Sequence, residues 1–233
     1  MLAAMQLSTL RVALASALAL IAILLWDLSG LDLALALASG GPQGFPLREE
    51  WLLTTVMHDG ARHLAWLVVV ALCLAVIWPV GPMRQLPTGR RLQLAATALL
   101  ASGFITLLKS GSHTSCPWDL HQFGGVATHV SHWAGWTAND GGAGRCFPAG
   151  HAAAGFAFVG GYFALRGTLP RLARAWLAAA LLAGLALGIA QQLRGAHFMS
   201  HTLWTGWLCW MAAWLTDPLF ASAAASSLEE VAP

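Results

Sequence analysis

Lys109 is the only lysine in the 233-residue chain, and it closes an apolar run from Arg91 to Leu108. A lone ammonium at the edge of a hydrophobic span is costly unless an anion faces it. The chain turns polar there, reading Lys109-Ser-Gly-Ser-His-Thr-Ser-Cys116-Pro117-Trp118-Asp119. Two more polar knots interrupt the apolar sequence, Pro148-Ala149-Gly150-His151 and Arg194-Gly-Ala-His197-Phe-Met-Ser-His201. An ammonium is a point charge for phosphate oxygens. A neutral imidazole can attack phosphorus or carry a proton, and glycine admits close approach of a ligand to backbone. The expectation is that the three knots meet at one phosphate. His197 and His201, four residues apart, also suit a metal pair. Two ligands are too few, so His151 and Asp119 would have to complete that set.

The elements that must bring the knots together are membrane spans. The chain is 58% hydrophobic and 9% charged, against roughly 25% charged in soluble domains. Its mean hydropathy is +0.65. Twelve tryptophans suit interfacial anchoring. A net charge of +2 without a basic stretch excludes nucleic acid as a partner class. Six stretches approach the 20 or so apolar residues that a spanning helix needs: 9–29, 62–80, 91–109, 148–166, 173–193 and 198–216. The first is read as a retained helix, not a cleaved signal peptide. The fold class expected is all-α, a six-transmembrane-helix bundle. The segment 30–61 is read as a loop followed by a short periplasmic amphipathic helix over 48–61.

Arginine placement orients the bundle. Arg84, Arg90 and Arg91, then Arg166, Arg171 and Arg174, lie in loops without acids, which makes those loops cytoplasmic. Both termini then lie inside, and Lys109, His151 and His197 all fall on the outer side. A single domain over 1–218 is expected, with a disordered cytoplasmic tail over 219–233.

These residues resemble the type 2 phosphatidic acid phosphatase superfamily, whose motifs are Lys-x6-Arg-Pro, Pro-Ser-Gly-His and Ser-Arg-x5-His-x3-Asp. Here they read Lys109-x6-Cys116-Pro117, Pro148-Ala149-Gly150-His151 and Ala190-Gln191-x5-His197-x3-His201. Order, spacing and membrane placement match over about residues 90–216. The resemblance implies a lipid phosphatase that needs neither metal nor cofactor, on the periplasmic face of a bacterial inner membrane. The substrates implied are undecaprenyl pyrophosphate, phosphatidylglycerol phosphate, phosphatidic acid or lipid A.

In that scheme His197 is the nucleophile, forming a phosphohistidine. His151 is the general acid and then the base. Lys109, Gly150 and the start of the fourth span hold the phosphate. Five motif positions depart from the family: Cys116 and Gln191 stand for arginines, Ala149 and Ala190 for serines and His201 for aspartate. Arg194, with Gln191, and Arg145 are the expected substitutes for the arginines. His201 or Asp119 is expected to orient His197. If the motifs converge, Cys116 and Cys146 are neighbours, and an oxidising periplasm allows a disulfide between them. The loop 110–147 holds His113, His121, His129 and His132, which are read as solvent contacts. A lipid phosphotransferase, and a non-catalytic or metal-dependent lipid-phosphate binder, share the same residues.

Overall fold

Apolar runs of 20 residues and more, poor in proline, fold here as helices. The computed structural model describes residues 2–229, with side chains from 9 to 220. The helices are α1 (Leu2–Leu28), α2 (Leu31–Ser39), α3 (Ala61–Ile77), α4 (Thr88–Gly111), α5 (Ala153–Phe156), α6 (Gly161–Leu165), α7 (Pro170–Leu193) and α8 (Met199–Glu229). A π-helical stretch, Leu52–Gly60, runs straight into α3, and a 3-10 turn, Ala157–Gly160, joins α5 to α6. No strand occurs among the described residues. Two isolated bridges pair Gly41 with Gly44 and Leu120 with Ala127.

Among the described residues, four helices are long and apolar enough to cross a membrane: Thr9–Leu28, Leu52–Gln85, Thr88–Gly111 and Pro170–Leu193. Leu14, Leu18, Leu25, Leu67 and Leu182 on these helices face outward, exposed. Apolar faces on that scale suggest a membrane protein. Two of the six expected spans differ in kind. The fourth is a shorter apolar helix, 153–165, of changing pitch. Within it the Trp176 indole donates to the Phe158 carbonyl at 2.7 Å, so α7 supplies a hydrogen-bond partner there. The sixth is α8, 31 residues long, whose apolar character is diluted by His201, Thr202, Thr205 and Asp217.

The segment 30–61 also departs from expectation. Its first part is helical as α2, not loop. Its last part is not a separate surface helix, because the π-helical stretch is continuous with α3. The expected tail is helical through Pro218 as far as Glu229, and residues 230–233 lie outside the described ones.

Close packing places the motif helices. A Cβ on Gly155 would come 2.2 Å from the Gly184 backbone nitrogen, so α5 and α7 meet backbone to backbone. Ile105, Ala149, Phe156, Val159, Phe163, Cys209 and Ala213 form one buried core shared by α4, the 149–163 segment and α8. Further along α8 from His201, Asp217 accepts Arg90 Nη1 at 2.6 Å, Arg166 Nη2 at 2.7 Å and Gln93 Nε2 at 2.9 Å. One carboxylate thus ties α4, the end of α6 and α8. About 24 Å of helix, at 1.5 Å per residue, separates Asp217 from His201.

Candidate active site

Each motif sits where an element starts or stops. Lys109 is in the last turn of α4, His151 lies two residues before α5, Arg194 follows α7, and His197 lies two residues before α8. Their ends meet on one side of the bundle. Thr205, one turn into α8 from His201, accepts the Ala149 amide at 2.9 Å and donates to the His201 carbonyl at 2.7 Å. That hydroxyl fastens the second motif to the third. It also occupies the Ala149 N–H.

The start of α8 is set by a residue far away in sequence. Asp32 on α2 accepts the Ser200 amide at 2.9 Å, a carboxylate cap on a helix N-terminus. The Trp26 indole holds the same oxygen at 2.8 Å.

Cys116 and Cys146 form a disulfide, with Cα atoms 5.1 Å apart. It clamps the first motif to the second. The Cys146 sulfur also packs 3.5 Å from His197 Nδ1 and 3.2 Å from the Ala196 carbonyl. Among the described residues, Cys116, Cys146 and His197 are the one group of three metal-ligand atoms within 4.8 Å of one another. Both sulfurs are spent on each other, which leaves the histidine alone. The set considered from sequence, His197 with His201, His151 and Asp119, is not gathered.

Breaking the disulfide, which closes a loop with a sequence separation of 30, is expected to cost about 4 kcal/mol by chain entropy. Melting of detergent-solubilised protein with and without reductant, beside the Cys116→Ser/Cys146→Ser double variant, checks this. A transition that neither change moves would refute it.

His197 and His201 are both buried, at 2% exposure each. Their Nδ1 atoms face each other at 3.5 Å. The His151 and His197 rings stand 6.4 Å apart, centroid to centroid. Burial holds the His197 imidazole well below its ordinary value of 6.5, and the charges of Lys109, His201 and His151 act the same way. His197 is therefore neutral at pH 7, with a lone pair to give. His151 Nδ1 is buried without a hydrogen-bond partner, and so is Gln191 Nε2.

Three cations surround this place. Lys109, Arg194 and Arg62 lie close enough for their charges to act on His151. Arg194 is buried, with Nε donating to the Arg48 carbonyl at 2.9 Å and Nη1 to Gln191 Oε1 at 3.2 Å. This is the Gln191–Arg194 pairing expected from their three-residue spacing. A Cβ on Gly150 would lie 3.6 Å from Lys109 Cδ, an ordinary contact, so tight packing is not what asks for glycine there.

Two expected residues are not brought in. Arg145 is exposed, with a φ of 56°, and its backbone N–H donates to the Ser112 carbonyl at 2.7 Å. Asp119 accepts the Trp118 indole at 3.0 Å. The group that faces His197 Nδ1 is His201.

Several residues at this end escaped the sequence reading. His58, from the π-helical stretch, lies against His151 with ring centroids 3.8 Å apart. Arg48 stacks 4.4 Å above the Trp118 ring and Phe45 sits 4.7 Å from Phe123, so the 40–50 segment lies against the loop that follows α4. His132 stacks on Phe147 at 4.3 Å and is buried, not in solvent. For Asp27 and Asp32 a signal existed: they are the only acids in the first 48 residues. Acids beside an apolar span call for partners.

The family model described as the PAP2 superfamily matches residues 91–222, more than half of the chain. The chain belongs to the PAP2 superfamily. The match starts at the first residue of the apolar run that carries Lys109 and extends past His201, so all three polar knots lie inside it. Membership supports a phosphatase-type activity for this PAP2 protein. Neither the curated proteins nor the solved structures give a match.

Proposed function

We propose that this PAP2 protein hydrolyses a phosphate monoester or pyrophosphate of a lipid, at the periplasmic face of a bacterial inner membrane, through a phosphohistidine. The observation that carries the reading is the meeting of a buried neutral His197, an unpartnered His151 Nδ1 and the cations Lys109, Arg194 and Arg62 at one end of the helices. Converged cations and an unsatisfied buried nitrogen suit a phosphoryl group, whose transfer asks mainly for positioning and charge stabilisation.

His197 Nε2, the nitrogen away from the Cys146 and His201 contacts, attacks phosphorus. His151 protonates the leaving oxygen; an arriving phosphate anion favours its protonated form. It then takes a proton from the water that cleaves the phosphohistidine. Lys109 and Arg194 hold the non-bridging oxygens, with Arg194 in the role of the family's motif arginines and Gln191 fixing its plane. No step calls for a metal.

The surroundings support a lipid substrate. The groove lined by Trp66, Val69, Leu99, Ile105, Gly150 and Phe158 runs between α3 and α4, and Arg62 also lines it. An acyl or prenyl chain in it would stay in lipid while its phosphate reached His197. The reading keeps six spans, with the 153–165 segment and α8 crossing beside the four apolar helices. Both termini are then cytoplasmic.

Detergent-purified protein should release phosphate from undecaprenyl pyrophosphate, phosphatidylglycerol phosphate, phosphatidic acid or lipid A, undiminished by EDTA. Release abolished by EDTA would transfer the reading to metal chemistry. Phosphorylated acceptor lipid in place of free phosphate would make the protein a phosphotransferase.

A further inference from the structure

Attack on phosphorus through Nε2 leaves the His197 ring cationic, and groups behind the ring must stabilise that charge. The group directly behind is His201, a neutral imidazole 3.5 Å away, Nδ1 to Nδ1. A carboxylate at that position would hold the charge at once. An imidazole only passes the demand on.

Beyond His201 lies a cavity of about 140 Å³, lined among others by Asp27, Asp32, His129 and His132. It has room for a few waters, at about 30 Å³ each. Each of its two acids takes two hydrogen bonds on one oxygen. Asp32 Oδ1 accepts the Ser200 amide and the Trp26 indole. Asp27 Oδ2 accepts the Trp204 indole at 2.9 Å and the Trp133 indole at 3.1 Å. Asp27 Oδ1 is buried with no partner.

The Asp27 side chain is only 9% exposed and that of His132 8%. His132 Nε2 stands 3.5 Å from Asp27 Oδ2, too long for a well-made hydrogen bond, and has no other partner. The His132 ring approaches His201 edge-on, with centroids 5.6 Å apart. A buried carboxylate with a spare oxygen is costly unless something positive faces it.

We infer that Asp27, acting through His132, the cavity and His201, is the positioning acid that stabilises the cationic His197. The acid has moved from the position four residues after the nucleophile to the end of α1. In the chemical step the N–P bond forms at His197 Nε2 as the P–O bond to the leaving group breaks. The leaving oxygen takes its proton from His151. The proton on His197 Nδ1 stays between it and His201, and Asp27 remains ionised throughout.

This inference rests on the proposed function, and anion binding separates the two. Vanadate bonds to the nucleophilic nitrogen and makes His197 cationic, whereas inorganic phosphate binds without that bond. Asp27→Asn keeps an oxygen for both indoles and removes only the charge. It is expected to weaken vanadate binding by about tenfold or more while changing phosphate binding less than about twofold. With a turned-over lipid, kcat falls by a similar factor and KM is unchanged. In a His201→Asp background, which returns a carboxylate to the ring, Asp27→Asn should lose its effect. His132→Gln gives the same readings if Asp27→Asn does not fold. Wild-type protein that binds neither anion would overturn the phosphatase reading and this inference with it. Wild-type protein that binds both, beside variants that bind vanadate as tightly, would overturn the inference alone, as would an equal loss in the His201→Asp background.

Discussion

Replacing His197 by glutamine is expected to lower phosphate release by about 10⁴-fold or more, because a covalent step has no substitute once its nucleophile is gone. His197 is buried beside the disulfide and His201, so the fold needs its own control. Glutamine fills much of the ring's space, and the melting temperature should stay within a few degrees. Wild-type protein quenched during turnover should carry label on histidine, labile in acid and stable in base. The variant should carry none. The pH dependence has a definite sign. Burial depresses the His197 value below 6.5, and the protonated ring cannot attack. The loss of activity due to His197 should therefore appear only on the acid side, below pH 6.5. Labelled protein in the His197→Gln variant, or full activity, would sink the phosphohistidine mechanism.

His151→Ala is expected to lower kcat by about 10²–10⁴-fold, the range for a positioned general acid or base. The test that distinguishes this from general damage is leaving-group dependence. A substrate with an acidic leaving group, such as p-nitrophenyl phosphate, needs little protonation, so its first step should survive far better than that of a lipid monoester. The second step still lacks its base, and phosphorylated protein should accumulate. A uniform loss on both substrates, without accumulation, would mean that His151 only fills space under His58, against which its ring lies at 3.8 Å.

Much of this site is legible in the chain because its motifs are local. Lys109, His151 and His197 each sit at the edge of an apolar run, and run lengths with arginine placement put those edges on one side before any packing is known. The Cys116–Cys146 bond followed from the same convergence, since each cysteine abuts a motif. The Gln191–Arg194 pair followed from helical spacing. What failed in the fold failed for local reasons too. The 153–165 segment matches an apolar window but changes pitch where α7 supplies the Phe158 carbonyl with a partner. Segment 30–39 reads as a loop by its glycines, yet folds as α2, whose Asp32 caps α8.

Motifs and run lengths alone identify the family and the helical class, and single out the candidate reacting side chains. Hydropathy and motif spacing act over one or two turns of helix and need no partner. What stands around them is a matter of tertiary packing. It gave Asp119 to the Trp118 indole, left Arg145 exposed, and brought in His58, Arg62 and Thr205. It also set Asp27 on the Trp204 indole across 177 residues of chain. Such contacts leave no periodic trace, because they are chosen by how helix ends pack against one another and by the cost of burying a charge without a partner.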